Sequence, residues 1–234
     1  MTTRRDLLQS LLGAGVLAGL GVRPALAAGP VPRVIQIGLL LPPGAAEKGA
    51  MMAAEEARQT AGLLQVKLEV TATGSAVHAL VGETAPAEEP RALFFTVAPL
   101  AAPSPVRPRI FHVASSPAMR RRALGDRQDV HVADWHPDLK HYGADSLNLR
   151  FRRRYDAPMD EEAWRGWMAV KVAAEVALRS TAGAVEDLQK ALATMRFDGH
   201  KGAQLGFDPQ DHHLVQPVYL VDAAGKLVGE VAPE

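Results

Sequence analysis

The sequence predicts an α/β fold built on a parallel sheet, and three neighbouring segments carry that expectation. Val34-Ile35-Gln36-Ile37-Gly38-Leu39-Leu40-Leu41 is an apolar run of strand length, ended by Pro42-Pro43-Gly44. A run that is apolar on both faces suits a strand buried inside a parallel sheet. Next comes a helix from about Ala46 to Ala61, with Ala50, Ala54, Ala57 and Ala61 on one face. Glu47, Glu55, Glu56 and Arg58 can face water, and Gly62 is a natural stop. Gln65 to Thr71 then alternates, with Val66, Leu68 and Val70 on one side, as a second strand does. Strand, helix, strand is a βαβ opening.

The later elements are read in the same way. The stretch from Gly74 to Pro90 holds one short strand or helix around Val77–Val81, then a loop. Ala92–Val97 and Arg109–Val113 are strands, separated by a proline-rich connection, and Pro117–Leu124 is a short basic helix. From Trp135 the pattern turns mostly helical. Pro137 fits a first helical turn, and Leu139, Tyr142 and Phe151 share an inner stripe up to Tyr155. Asp160 caps a helix running to about Ser180, with Ala163, Trp164, Trp167, Met168 and Ala174 inward. Its outer face offers Glu161–Arg165, Lys171–Glu175 and Glu175–Arg179 at i,i+4 spacing. A helix over Val185–Met195 and three strand-like runs, Gly202–Phe207, Val215–Val221 and Lys226–Val231, complete the chain, with Ala223-Ala224-Gly225 as the last turn.

Composition removes several function classes. Hydrophobic residues make up 47% of the 234, enough for a packed core and too many for a disordered chain. The formal net charge of zero argues against a nucleic-acid partner or a polybasic membrane surface. With no cysteine, thiol catalysis, iron–sulfur ligation and cysteine zinc sites are excluded. The amino terminus points to export. Arg4-Arg5 precedes a mildly apolar run from Leu11 to Val22, and Ala25-Leu26-Ala27 is an A-x-A cleavage signal. That order is a twin-arginine-type signal peptide over residues 1–27, leaving a single domain over residues 28–234 and a periplasmic location. An ordinary secretory signal containing two arginines is the alternative.

Several segments, in order, resemble the type I periplasmic binding proteins of branched-chain amino acid transporters. They are Leu40-Leu41-Pro42-Pro43, Lys48-Gly49-Ala50, Ala53-Ala54-Glu55-Glu56-Ala57 and Ala61-Gly62-Leu63-Leu64. Phe111-His112-Val113-Ala114-Ser115-Ser116-Pro117 and the helix around Ala163-Trp164-Arg165-Gly166-Trp167-Met168-Ala169-Val170 come next. Phe197-Asp198-Gly199-His200-Lys201-Gly202 and the run from Phe207 to Val221 close the set. The wording is closest to a subgroup found with alcohol oxidation systems that depend on pyrroloquinoline quinone (PQQ). The resemblance implies an α/β fold made of a single Rossmann-like lobe, completed by carboxy-terminal helices and a small β tail. Most of a second lobe is expected to be missing, because only a short helix and a loop separate Val113 from Trp135. It also implies a non-catalytic binding or accessory protein that requires no cofactor, with PQQ or an alcohol-oxidation metabolite as ligand, or a periplasmic dehydrogenase or transporter as partner. The alternative is an interaction module that has lost solute binding, a homodimer included.

With one lobe, the former cleft becomes an open surface at the carboxyl ends of the strands, where open α/β sheets bind ligands. Pro43 and Thr96 end strands there and are candidate ligand contacts. Ser115 and Ser116 are hydroxyls for a ligand or simply turn residues. Arg120, with Arg121 and Arg122, offers charge to an anionic quinone, or coats a solvated helix. Trp135 offers an aromatic platform, or packs over the sheet end, and His136 lies beside it at the cleft edge. No metal ligand set is expected. His212 and His213 are adjacent, so in a strand they point to opposite faces, and no H-E-x-x-H joins the other histidines.

Overall fold

A computed structural model describes residues 33–72, 78–180 and 184–233; the proposed signal segment lies outside them. The chain alternates as the sequence predicts: β1 (Val34–Leu40), α1 (Ala45–Leu63), β2 (Lys67–Thr71), β3 (Ala79–Gly82), β4 (Leu93–Thr96) and β5 (Ile110–His112). These five strands form one parallel sheet in the order β2-β1-β3-β4-β5. Ile35, Ile37, Val81 and Phe95 are fully buried on one face of the sheet, and Phe94 and Thr96 are buried on the other, so β4 is covered on both faces, whereas β1 turns Gln36 and the exposed Leu40 to its second face.

The rest of the chain supplies α2 (Pro117–Leu124), β6 (Val130–Ala133), α3 (Ala144–Tyr155), α4 (Glu161–Arg179), α5 (Val185–Thr194), β7 (Phe197–Asp198), β8 (Gln204–Phe207), β9 (Leu214–Val215), β10 (Val218–Asp222) and β11 (Leu227–Val231). Strands β11, β10 and β6 form a small antiparallel sheet, and α2 packs on it around Ala123, Val132, Val218 and Leu220. Strands β7, β8 and β9 form a third sheet, and one bridge between His112 and His213 ties it to the end of β5.

Helices α1 and α4 lie against each other over most of their lengths, because small residues let the backbones touch. A Cβ on Gly49 would stand 1.8 Å from the Ala163 carbonyl oxygen, and one on Gly166 would stand 1.9 Å from that of Ala46. Each helix thus places its glycine on the other's first turns. The α4 side chains from Ala163 to Val170 are all buried, so this helix is surrounded rather than half-exposed.

Three expectations are corrected. Helix α1 runs through Gly62 to Leu63, and the chain turns at Gln65, whose φ is 56°. The helix placed after Pro137 begins only at Ala144. The Asn148 amide donates to the carbonyls of Pro137 and Leu139 at 2.9 and 3.3 Å, occupying acceptors a helix would have used. Tyr142, expected inward, has a φ of 56° and is two-thirds exposed. Third, Arg165 does pair with Glu161, yet it points inward, its side chain only 3% exposed.

Candidate functional site

The parallel strands end together, and the loops at those ends enclose an open cavity of about 220 Å³. β1 leads through Leu41, Pro42, Pro43 and Gly44 into α1; Glu83 comes directly after β3, and Val97, Ala98 and Pro99 come after β4. Hydrogen bonds from Val97 N to Gly82 O (3.1 Å) and Ala98 N to Glu83 O (2.9 Å) fix these two loops side by side. The Gly49–Gly166 crossing brings the first turn of α4 across the opening, so Glu162 and Arg165 form the remaining wall.

The two helix starts differ in charge. Helix α4 is capped by Asp160, whose Oδ1 accepts from Ala163 N at 2.8 Å. Helix α1 starts at Gly44, which has no side chain, so the leading N–H groups lack a side-chain cap. That end carries partial positive charge, and the exposed carboxylates of Glu83 and Glu162 stand on the same cavity.

Behind the α4 wall lies a buried ionic cluster centred on Asp134, which has no exposed surface and directly follows β6. Its Oδ2 accepts from Arg165 Nε (2.6 Å) and Arg120 Nη2 (3.1 Å), and its Oδ1 from Ser115 N (3.2 Å). The Asp134 N–H donates to Glu161 Oε2 at 3.1 Å. That same oxygen stands 2.5 Å from Arg165 Nη2, as an ion pair without hydrogen-bond alignment. Burial pushes the Asp134 carboxyl up, but Arg165 and Arg120 outweigh it and hold it at about 2. The cluster joins the small antiparallel sheet and α2 to α4.

Nearby, Lys201 is 1% exposed. Its Nζ donates to Gln216 Oε1 (2.5 Å) and to the Pro217 carbonyl (3.0 Å), and lies 4.1 Å from the Trp164 ring centre and 5.2 Å from that of Tyr219. Burial pushes this ammonium down to about 7, against the pull of Asp134.

The structure distributes the residues singled out from the sequence. Pro43 lines the strand-end cavity. Thr96 is buried, its Oγ1 2.9 Å from His112 Nδ1. Ser115 is fully buried beside Asp134, its Oγ without a hydrogen-bond partner among the described residues, while the Ser116 Oγ caps α2 by accepting from Met119 N. Arg120 is turned onto Asp134 and the Val132 carbonyl instead of coating a solvated helix. The Trp135 ring is 1% exposed, stacked on Trp164 at 5.7 Å and donating to Asn148 Oδ1, so the core takes up the expected platform. His136 is bound through Nε2 to the Gly225 carbonyl. His212 and His213 go separate ways, His212 onto the Phe111 ring and His213 onto His112. Among the described residues no group of three His, Asp or Glu is placed to hold a metal ion.

Sequence reasoning missed Glu83, Ala98, Pro99, Glu162 and Arg165 as neighbours of one cavity, and Asp134 as a hub. The one available signal was an arginine inside the apolar run Ala163-Trp164-Arg165-Gly166-Trp167-Met168, where a charge needs a buried partner.

With this geometry in view, residues 123–226 match the periplasmic binding protein family model. Among curated proteins none matches. Similar solved structures include an ABC transporter substrate-binding protein from Desulfitobacterium hafniense, 12% identical, over 85% of this chain and 100% of that one, with a TM-score of 0.67. Another is a solute binding protein of an ABC transporter from R. palustris in complex with benzoate (14% identity, 86% and 97%, TM-score 0.65). A third is the branched-chain amino acid transporter substrate binding protein of Streptococcus pneumoniae in complex with isoleucine (12%, 85% and 99%, TM-score 0.63). The α/β architecture around a parallel sheet is thus that of a single lobe of a type I periplasmic binding protein.

Proposed function

We propose that this chain is an exported, non-catalytic binding protein of the ABC-transporter substrate-binding kind, working in the periplasm and taking a small carboxylate at the strand-end cavity. The observation that carries the reading is the convergence of three strand ends and the uncapped start of α1 on one open cavity. Such a helix start receives anionic groups. The solved relatives whose names mention isoleucine and benzoate support a small carboxylate as the class. The sequence likeness to the PQQ-associated subgroup adds that tricarboxylated quinone, and acids made by alcohol oxidation, to the ligands worth testing. The ionic cluster at Asp134 ties the small sheet to α4, and among the described residues no second lobe covers the cavity, so a modest affinity is expected.

Calorimetric titration of the exported form with benzoate, isoleucine and PQQ tests this. Saturable binding of one of them is expected, weakened about tenfold or more by Ala45→Glu. That variant puts a like charge at the start of α1 while favouring the helix itself. No saturation with any carboxylate, together with a stable dimer by light scattering, would shift the reading to an interaction module. Leu63 and Leu64, 87% and 57% exposed at the end of α1, favour that second reading.

A further inference from the structure

The turn between β8 and β9 closes the outer edge of the parallel sheet, and it does so through histidines. His213 meets His112 of β5 in a single parallel bridge, and the His112 N–H donates to the His212 carbonyl at 2.9 Å. The His213 ring lies flat on the His112 ring, centres 4.5 Å apart, and the His212 ring lies flat on Phe111 at 4.6 Å. We propose that the stacked pair His112–His213 is an acid-sensitive latch: protonation lifts the turn Asp208–His213 off β5 while the strands on either side of the turn stay in place.

The pair is built to be neutral. His112 is 8% exposed and His213 4%. Burial disfavours a cation on His112, charge on His213 or His212 adds to that, and the ring is held down at about 4. Its Nδ1 partner, Thr96 Oγ1 at 2.9 Å, carries no charge to offset this. The charged groups nearby face His213 instead. Asp211 Oδ1 accepts from the His213 N–H at 2.9 Å, and Asp208 and Arg122 line the hollow beside that ring.

The opening can be local because the flanks of the turn are anchored separately. Phe207 packs edge-on against Phe111 at 5.2 Å, Leu214 is fully buried, and Gln216 Nε2 donates to the Val113 carbonyl at 2.8 Å. Between these anchors the turn holds itself together, Asp208 N–H donating to the His213 carbonyl and His212 N–H to that of Asp208. His212 has a φ of 57°, a strained conformation for a residue with a side chain, which undocking is free to relax. Once open, His112 returns to its ordinary 6.5, so opening is favoured as pH falls below that value and levels off near 4.

Hydrogen exchange followed by NMR tests the latch, because the His112 N–H is held by the turn itself. The protection factors of the His112 and Asp208 amides are expected to fall about fiftyfold from pH 7 to pH 4.5. At pH 4.5 their exchange is expected to ignore low urea, the mark of a local opening, while exchange of Ile37 and Val81 in the central strands rises steeply with it. His112→Phe keeps a flat ring under His213, and His112→Asn keeps a polar partner for Thr96. In both, the Asp208 amide is expected to lose most of its dependence on pH. The proposal is overturned if protection in the unaltered protein is independent of pH. It is overturned as well if the His112 and Asp208 amides follow urea as steeply as Ile37 and Val81, or if both variants keep the full pH dependence.

Discussion

Asp134 is a charge with no access to water, and its cost is met only by its partners. Arg165 approaches to 2.6 Å and Arg120 to 3.1 Å, with Ser115 N on the other oxygen. Asp134→Asn keeps the shape but leaves two guanidinium groups short of an anion, Arg165 being itself almost fully buried. Removing one partner of such a pair costs about 3–5 kcal/mol. Urea denaturation is expected to show a loss of that order in Asp134→Asn, and a smaller one in Asp134→Leu with Arg165→Met, where both charges go. A single-variant loss under about 1 kcal/mol would mean the cluster is not what joins the small sheet to α4. The acid dependence comes from the same group. Its folded pKa is lowered from 3.8 to about 2, so its stabilisation is complete above 3.8 and is lost as pH falls toward 2.

At the scale of elements, the α1–α4 contact rests on two glycines, and it predicts opposite outcomes for one chemical change. Gly166→Ala drives a methyl into the Ala46 carbonyl, which is backbone and cannot swing aside, so the helices must part. Overpacking of this sort costs about 1–3 kcal/mol. Gly62→Ala, also within a helix, meets nothing within 4 Å and is expected to be neutral or to stabilise by a few tenths to about 1 kcal/mol. Thermal melts of the two variants moving in the same direction would contradict the packing argument. These elements also show what the sequence reveals. The alanine face of α1, the Asp160 cap and the limits of α2 are local signals, and each is found where the pattern places it. β6 escapes notice because Val130-His131-Val132-Ala133 becomes a strand only by pairing with β10, almost ninety residues later. The pattern puts Arg165 on an outer face because i,i+4 spacing gives its partner but not which side of α4 meets the core. The strand-end cavity is read only in part for the same reason: Pro43 ends a visible strand, whereas Glu162 reaches the cavity through the α1–α4 crossing.

For the molecule as a whole, buried bases set the response to pH. His112 is stacked on His213, bonded to Thr96 and close to His212, and burial with those histidines lowers it to about 4. Between its ordinary 6.5 and 4 the unfolded chain binds the proton more readily, so stability falls as pH drops through that window. Lys201 acts in the same sense at higher pH. Its surroundings are the Trp164 and Tyr219 rings, Gln216, the Pro217 carbonyl and the charges of Asp134, Arg165, Glu161 and Glu230. Its pKa falls from 10.5 unfolded to about 7 folded, so between those values the unfolded state holds more protons and stability rises with pH. Burial also raises Tyr219 above its usual 10.0, so the folded state keeps that proton longer and the trend turns over above 10. Maximum stability is therefore expected near pH 9–10 rather than in the common range of about 5–8. Lys201→Met leaves the Gln216 and Pro217 acceptors unpaired, so it can lower the maximum, but it must flatten the slope between pH 7 and 10. Urea midpoints across that range separate the two effects, because a lost hydrogen bond moves the whole curve and only a lost titration changes its gradient. An unchanged gradient in the variant would show that Lys201 is not the group that titrates.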